Sequence, residues 1–388
     1  MYFFILLKKR QLMKNKILSI TKKEFLQISR DKRTLMIIFI LPVALLILFG
    51  YAITLDVNSI NMGVYDKDNT EASRDFINSF SGSSYFKIVT YVDNDEDVNK
   101  LLDDGIVQCV VVIPDKFSAD IARKEDVNIQ FLIDGLDANT ASIILNYVNA
   151  ATRSYSAEIT KEVLAVKGIK QYVPIDLEPQ FWYNKDLDTT QYFLPGLIAM
   201  LLIIIAVILT SISLVREKEL GTIEQIRVSP VTSFELIIGK IIPYLIISLV
   251  IAYSILLMGK VLFDVTVKGS HLFLFLGTMS YLLASLSMGV LISTFADSQQ
   301  VAFQMSQLIS QLPTVILSGF VFPIESMPFP IQIVSNFIPA KYFIILLRDI
   351  LIKGVSPEVY GTQILYLLGF AVVFIFLAAR RIRKENTV

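Results

Sequence analysis

The feature that most constrains this chain is a series of long apolar runs that are nearly free of charge. The first run, Leu35–Leu55, has 21 uncharged residues, which is enough to cross roughly 30 Å of hydrocarbon at about 1.5 Å per residue. Further runs that pass the same test lie at 192–215, 236–258, 272–295, 301–322 and 361–379. Because lipid cannot satisfy backbone polar groups, such runs must be helical. The sequence therefore predicts an α-helical polytopic membrane protein with six transmembrane helices.

Composition agrees with this interpretation. Hydrophobic residues make up 54% of the 388, charged residues only 18%, and the mean hydropathy is +0.60, which is unusual for a soluble domain. A cleavable signal peptide is the alternative for the first run. The run begins too deep in the chain and is too long for that, and no A-x-A-like site follows it.

Charge is segregated along the chain and predicts its orientation. Residues 1–34 carry ten Lys/Arg against two acids, whereas residues 56–191 carry 23 acids against 12 bases. The tail at 380–388 is again basic. Because basic flanks stay on the cytoplasmic side, we expect both termini and the loop 216–235 in the cytoplasm, and 56–191 as an extracytoplasmic domain of a cell-membrane protein.

The segment 323–353 tests the number of spans. It is apolar, but prolines interrupt it and it carries both Arg348 and Asp349. A span here would place these charges in lipid at a cost of several kcal/mol and move the basic tail outside. We interpret the segment as an extracytoplasmic re-entrant hairpin.

The N-terminal segment 1–34 mixes apolar and basic residues. From Ile17 to Ile28 the pattern is compatible with an interfacial helix on the inner leaflet, although an ordinary basic flank is an equally good interpretation. We also expect Met13, whose following residues are typical of a prokaryotic start, to be an alternative N-terminus.

Between the first two spans the pattern changes to short β-like segments that alternate with helical ones. The expected strands lie at 61–66, 85–92, 107–114 and 127–134, and the expected helices at Glu71–Phe80, Asp95–Asp104, Lys116–Arg123 and Asn139–Val166. This alternation predicts an inserted α/β domain. Asn139 is the expected N-cap of the last helix.

Several kinds of chemistry are excluded or disfavoured. Cys109 and His271 are the only cysteine and histidine, so an internal disulfide is excluded and a Cys/His zinc site is disfavoured. The inserted domain contains no histidine and no G-x-S-x-G motif, so no Ser-His catalysis is expected there. The acids of the inserted domain lack the spacing of a calcium loop and are better explained as a solvated face. We therefore expect no catalytic residues and no metal or cofactor bound by this chain.

The inner loop at 215–244, VREKELGTIEQIRVSPVTSFELIIGKIIPY, is the most informative stretch. It begins with alternating charges, continues as a short helix-like segment from Thr222 to Val228, and stops at Pro230. A short charged helix joined directly to two spans can transmit movement from a soluble partner. A simple surface connector explains the composition about as well. Lys240, near the membrane face, could extend its ammonium to water.

This loop resembles the signature of type-2 ABC exporter permeases, a REKE-x-GT-x-E run. Segments 23–52, 291–306 and 318–354 are similar to the membrane entry, the loop between the fourth and fifth spans, and the outer hairpin of that family. The large first extracellular domain is typical of the drug- and lipid-exporting branch.

The resemblance implies roles for particular residues and partners. The contact with the ATPase would be formed by Arg216, Glu217, Glu219, Gly221, Thr222 and Glu224, and the elbow helix by Ile17–Arg33. ATP and Mg²⁺ would bind to two copies of a separate ABC ATPase, because Gly239-Lys240 lacks the rest of a P-loop. A second permease copy or paralogue completes the expected assembly.

A row of glutamines is visible without the family. Gln300, Gln304, Gln307 and Gln311 recur on one face of the fifth span. Buried amides in a membrane helix bond to neighbouring helices or line a wet pathway. The face is therefore predicted to be a dimer interface or a translocation path.

The leading interpretation is an exporter permease for an amphipathic, drug-like or lipid-like substrate. The first alternative is a membrane-anchored sensor with an extracytoplasmic ligand-binding domain, but the largest inner loop offers little room for an output domain. The second is an ion-driven carrier, for which intramembrane acids and inverted repeats are not apparent.

Overall fold

The computed structural model describes residues 2–52, 59–81, 85–123, 125–136, 138–166, 182–183, 189–222 and 231–385. The chain divides into two compact units. One comprises Met1–Thr54 with Phe181–Val388, and the other comprises Leu55–Gln180. The inserted unit interrupts the helical one in sequence.

The first unit is helical. Its helices are α1 (Tyr2–Arg30), α2 (Lys32–Ala52), α7 (Thr189–Glu219), α8 (Ser233–Phe263), α9 (His271–Ser293), α10 (Gln299–Leu317), α11 (Phe329–Ser335), α12 (Pro339–Arg348) and α13 (Pro357–Glu385), with a 3₁₀ turn at Ile324–Ser326 and a π-turn at Asp349–Lys353. The second unit contributes α3–α6, described below.

Four of these helices are long and apolar enough to cross a membrane: α7, α8, α9 and the part of α13 from Glu358 to Lys384. Within the described residues the apolar part of α2, Ile38–Tyr51, is shorter than these four helices. Helix α10 has 19 residues, several of them glutamines, and is not among the four. The structure thus shows a multi-pass helical protein, and the count of six spans stays a prediction.

The elbow differs from its predicted boundaries. Helix α1 runs from Tyr2 to Arg30 and α2 begins at Lys32, so the predicted elbow helix Ile17–Arg33 is wrong at both ends. Asp31 separates the two helices, and its carbonyl accepts the first hydrogen bond of α2 from Leu35 N at 3.0 Å. This is the backbone role of an N-cap residue.

Close helix contacts depend on small residues. A Cβ at Gly289 of α9 would lie 2.0 Å from Thr210 Oγ1 and 2.4 Å from Val207 O of α7. Thr210 Oγ1 donates to Leu286 O at 3.0 Å across the same contact. Glycine and threonine therefore let α7 and α9 approach closely, as small residues do in membrane helix pairs.

The segment predicted as a hairpin is bent by 87° between Phe329–Ser335 and Pro339–Lys353. Its charged side chains Arg348, Asp349 and Lys353 have partners inside the protein, although Arg348 Nε is buried without a hydrogen bond. The Arg348 guanidinium donates to Tyr192 O at 3.3 Å and lies 4.0 Å from the Tyr192 ring centroid, and Lys353 Nζ lies 2.7 Å from Asp349 Oδ1. The shape is that of a re-entrant or broken helix, and its extracytoplasmic position stays a prediction.

The inserted unit is a four-stranded sheet with helices. Its strands are β1 (Ile60–Asp66), β2 (Phe86–Tyr91), β3 (Cys109–Ile113) and β4 (Gln130–Ile133), and its helices are α3 (Glu71–Ser81), α4 (Asp95–Asp103), α5 (Phe117–Arg123) and α6 (Ala138–Val166). The order is β2-β1-β3-β4, with β1 parallel to both neighbours and β4 antiparallel to β3. The expected alternation of strands and helices is present.

Both faces of the sheet are covered. In β3, Cys109 and Val111 join the core formed with α3, α5 and α6, whereas Val110 and Val112 join the smaller core formed with α4. A strand buried on both faces needs a continuous apolar run, which explains the sequence CVVVI. Burial raises the pKa of the Cys109 thiol to about 12, so this cysteine is poorly reactive.

One expectation for this unit is wrong. Helix α6 begins at Ala138, so Asn139 lies inside its first turn and its prediction as N-cap is wrong. Among the described residues no group of three or more His, Cys, Asp or Glu side chains is arranged to hold a metal ion.

Candidate functional site: the inner-loop junction

The inner loop connects α7 to α8, and the structure describes the helix ends on both sides of it. On the first side α7 ends with Arg216, Glu217, Lys218 and Glu219, after which Gly221 adopts a φ of +69°. A positive φ suits glycine and turns the chain out of the helix. Residues 223–230, which include Glu224 and the predicted short helix, lie outside the described residues.

A buried ionic cluster lies directly behind this loop. Lys240 Nζ of α8 lies 2.8 Å from Glu24 Oε1 of α1 and 3.1 Å from Glu217 Oε2 of α7. Lys23 Nζ donates to Glu217 Oε1 at 2.6 Å. Helix α1, which is far from α7 and α8 in sequence, therefore meets both of them at one lysine.

Neutral side chains complete the cluster. Glu24 Oε2 accepts hydrogen bonds from Ser213 Oγ and Tyr244 Oη, each at 3.2 Å. Lys240 Nζ also donates to Ser213 Oγ at 3.1 Å. Both oxygens of Glu24 and the Lys240 ammonium thus have partners, as a buried polar network requires.

The burial of the cluster determines its energetics. The side chains of Lys240, Glu24 and Glu217 are 2%, 3% and 6% exposed, whereas Lys23 is 51% exposed. Two carboxylates face two ammonium groups, so the set is neutral. A buried ion pair adds little net stability over an apolar core, but removing one partner strands a buried charge. The cluster consequently fixes geometry more than it adds stability.

The other arm of the loop is anchored to α1 as well. Thr232 and Glu235 form a reciprocal capping box at the start of α8, with Thr232 N donating to Glu235 Oε2 at 2.8 Å. One turn further on, Thr21 Oγ1 donates to Gly239 O at 3.1 Å. A Cβ at Gly239 would lie 2.8 Å from Ile20 Cγ2, so α1 crosses α8 at a position that requires glycine.

Charged contacts also join α7 to the neighbouring helix ends. Lys218 Nζ donates to Ser293 O, the last residue of α9, at 3.3 Å. Glu219 accepts a hydrogen bond from Gln299 N at the start of α10 at 2.7 Å, and another from the Gln299 side chain. A lysine at a helix C-terminus and a glutamate at a helix N-terminus both match the helix dipole.

The residues that the resemblance assigned to coupling fall into two groups. Arg216 is exposed, Gly221 has open space around it, and Thr222 Oγ1 donates to Glu217 O at 3.2 Å. Glu217 is buried in the cluster, and Glu219 bonds to Gln299. These two carboxylates therefore hold the loop in place in this structure. Glu219 and Arg216 are both exposed, and Arg216 is the one for which the described residues offer no side-chain partner.

The structure corrects one expectation and adds one residue. Lys240 does not extend to water, because its ammonium is buried between two carboxylates. Glu24 was missed by the sequence reasoning, which treated residues 17–28 as a surface of bases. The sequence did contain a signal: Glu24 is an acid within a basic helix, and Lys240 is a lysine within an apolar span. Because an unpaired charge is costly in a membrane, these two residues are candidates to pair with each other.

The glutamine face of α10 points away from the helix bundle. On α10, the residues buried in the bundle are Ala302, Ser306, Ser310 and Thr314. Gln300, Gln304 and Gln307 are exposed and Gln311 is half-buried, with Gln307 Nε2 donating to Gln311 Oε1 at 3.2 Å. The single chain does not cover this face.

Substitution of Lys240 tests the energetics of the cluster. Lys240→Met should strand Glu24 and Glu217 and lower the free energy of unfolding by about 3–5 kcal/mol, which would appear as a reduced apparent melting temperature in detergent. Lys260→Met, on an exposed position of the same helix, is the matched control. Equal melting temperatures for the two variants would contradict the account.

Comparison with known proteins places the chain in a family. Residues 32–380 match the family model described as ABC-2 family transporter protein. A "Probable multidrug ABC transporter permease YbhS" of Escherichia coli is 32% identical over 364 residues, covering 94% of this chain and 95% of the relative. The similarly named YbhR is 30% identical over 355 residues, covering 91% and 94%. "ABC transporter G family member 20" of Dictyostelium discoideum is 25% identical over 376 residues, covering 95% of this chain but 50% of that protein. This chain therefore belongs to the ABC-2 family of transporter membrane proteins and is an ABC transporter permease.

Proposed function

We propose that this chain is the permease subunit of an ATP-driven exporter that moves amphipathic, drug-like or lipid-like molecules outward across the cell membrane. ATP is hydrolysed, with Mg²⁺, by a separate ABC ATPase, of which the assembly holds two copies. The multidrug permeases among the relatives support the substrate class. Family membership favours this function over the sensor alternative.

The observation that carries the proposal is the anchoring of the inner loop. Both arms of the loop are tied to α1 and to each other through Lys240, Glu24 and Glu217, and its first arm is also tied to the ends of α9 and α10. A push on the loop is thereby distributed to five helices at once. Rigid elements joined in this way can move as a body.

The loop residues then have distinct tasks. Arg216 and Glu224 dock onto the ATPase, and Gly221 and Thr222 shape the chain between them. Glu217 and Glu219 keep the loop at a fixed position relative to the helices. The docking residues face the cytoplasm, as do both termini, because the basic segments flank the spans on that side. The unit Leu55–Gln180 is extracytoplasmic in this proposal.

Two permease chains enclose the path. The exposed glutamine face of α10 is too polar to face lipid at membrane depth. Contact with a second permease copy or paralogue supplies amide partners for it. This supports α10 as the helix that forms the dimer contact, or that lines the path beside it.

Co-purification with an ABC ATPase tests the docking site. Arg216→Glu and Glu224→Lys should abolish or strongly reduce association with a co-expressed ATPase and ATP hydrolysis in lipid, because each reverses a charge on the docking surface. The control is Lys260→Glu, an exposed charge reversal at the far end of α8. An unaffected complex in both variants would refute the docking site.

Cysteine cross-linking tests the glutamine face. Cysteines at positions 300, 304, 307 and 311, one at a time in a Cys109→Ala chain, should give a cross-linked dimer with a short bismaleimide for at least one position. Val372→Cys, on the exposed side of α13 with 67% exposure, is the control. Cross-linking no stronger than in the control at all four positions would contradict the dimer contact.

A further inference from the structure

A cavity of about 190 Å³ lies between the elbow helix α1, the start of α2, and helices α7 and α8. Its volume is comparable to apolar cavities of roughly 150 Å³ that bind a benzene molecule in other proteins. The cavity lies wholly within the helical unit and is separate from the glutamine face. Neither the resemblance nor the relatives assign a ligand to this cavity, although the resemblance places Arg216 of its lining in the ATPase contact.

The lining of the cavity changes from polar to apolar along its length. On α7, Arg216 lies near the end of the helix, and Ile212 and Ile208 lie one and two turns before it. The lining also includes the polar side chains Gln27 and Asp31 of the α1–α2 corner. On α7 the lining extends over nine residues, from Ile208 to Arg216, a distance of about 12 Å for the eight steps of about 1.5 Å between them. This change in polarity matches an amphiphile whose polar head lies near the end of α7 and whose apolar chain points toward the helix bundle.

The polar end offers a cation. Among the described residues, no acidic side chain lies within ion-pair distance of the Arg216 guanidinium. A guanidinium matches a phosphate with two parallel hydrogen bonds. The apolar end offers partly exposed aliphatic side chains, Ile38, Ile208 and Ile212, which suit an acyl chain.

We propose that this cavity binds a phospholipid of the inner leaflet, with its phosphate on Arg216 and the upper part of one acyl chain along Ile212 and Ile208. The lipid lies directly against the ionic cluster, because Ser213 and Tyr244 line the cavity and also donate to Glu24. A bound chain excludes water from the Glu24–Lys240 pair and so keeps its surroundings at low dielectric. The lipid phosphate and the ATPase proposed above share Arg216, so the lipid occupies this site in the permease without a docked ATPase, and the vesicle experiment below uses the permease chain alone.

Photo-cross-linking in vesicles tests the site. The full chain is placed in vesicles of phosphatidylethanolamine and phosphatidylglycerol with a trace of phospholipid that carries a diazirine near the ester end of one acyl chain. Labelled peptides are identified by mass spectrometry. Labelling at 27–31 and 208–216 should exceed labelling of the lipid-facing stretch 372–377 of α13.

Matched variants separate the cavity from general lipid contact. Ile212→Trp fills the cavity and should remove this labelling, whereas Val250→Trp, on an exposed position of α8, should not. If Ile212→Trp fails to elute as a folded protein, Leu209→Phe fills the same space more mildly and decides the question. Arg216→Gln should reduce labelling about tenfold, the loss expected for a charge-assisted hydrogen bond, and Arg380→Gln should leave it unchanged.

A diazirine-bearing diacylglycerol, which lacks the phosphate, should label the cavity weakly and independently of Arg216. Labelling at the cavity no greater than at α13, or unchanged by the filling variants, would overturn the proposal. Equal labelling by the diacylglycerol would also overturn it, because the site would then hold hydrocarbon without recognising phosphate.

Discussion

The arrangement of the inner-loop junction depends on one buried ion-pair cluster. Lys240 is held between Glu24 and Glu217, and each of these three residues belongs to a different helix. A charge in an apolar bundle must have a partner, because the cost of leaving it alone is several kcal/mol. That requirement fixes α1, α7 and α8 to one another at a single point. The capping box at Thr232 and the contacts of Glu219 then fix where the loop leaves and re-enters the bundle.

This constraint gives the permease a mechanical rationale. The resemblance assigns the contact with the ATPase to this short loop. The helix ends on both sides of the loop are held by side-chain contacts and are not free connectors. The sequence motif alone does not show which of its residues position the loop and which dock the partner. Glu217 is only 6% exposed and could contact a partner only by leaving Lys23 and Lys240, so its role is to position the loop. The cavity next to the cluster adds a place where lipid can influence the same joint.

Much of the fold was predictable because local patterns determine it. The apolar runs predicted the long helices, and the alternation in residues 61–134 predicted each strand of the sheet. The boundary at Asp31 was missed, since a one-residue break between two helices leaves little trace in periodicity. The role of Glu24 was missed because its partner is 216 residues away, and a single sequence does not show which distant charges meet. The glutamine face was visible as a pattern, but what covers it depends on a second chain.

A double-mutant cycle on Glu24 and Lys240 tests the central claim most directly. Substrate-stimulated ATP hydrolysis and transport by the complete complex in proteoliposomes would be measured for Glu24→Gln, Lys240→Met and the double variant. The account predicts a coupling energy of about 1 kcal/mol or more, with the double variant less impaired than the sum of the single ones. Additive losses, within about 0.3–0.5 kcal/mol, would contradict the claim that these residues act together to hold the loop.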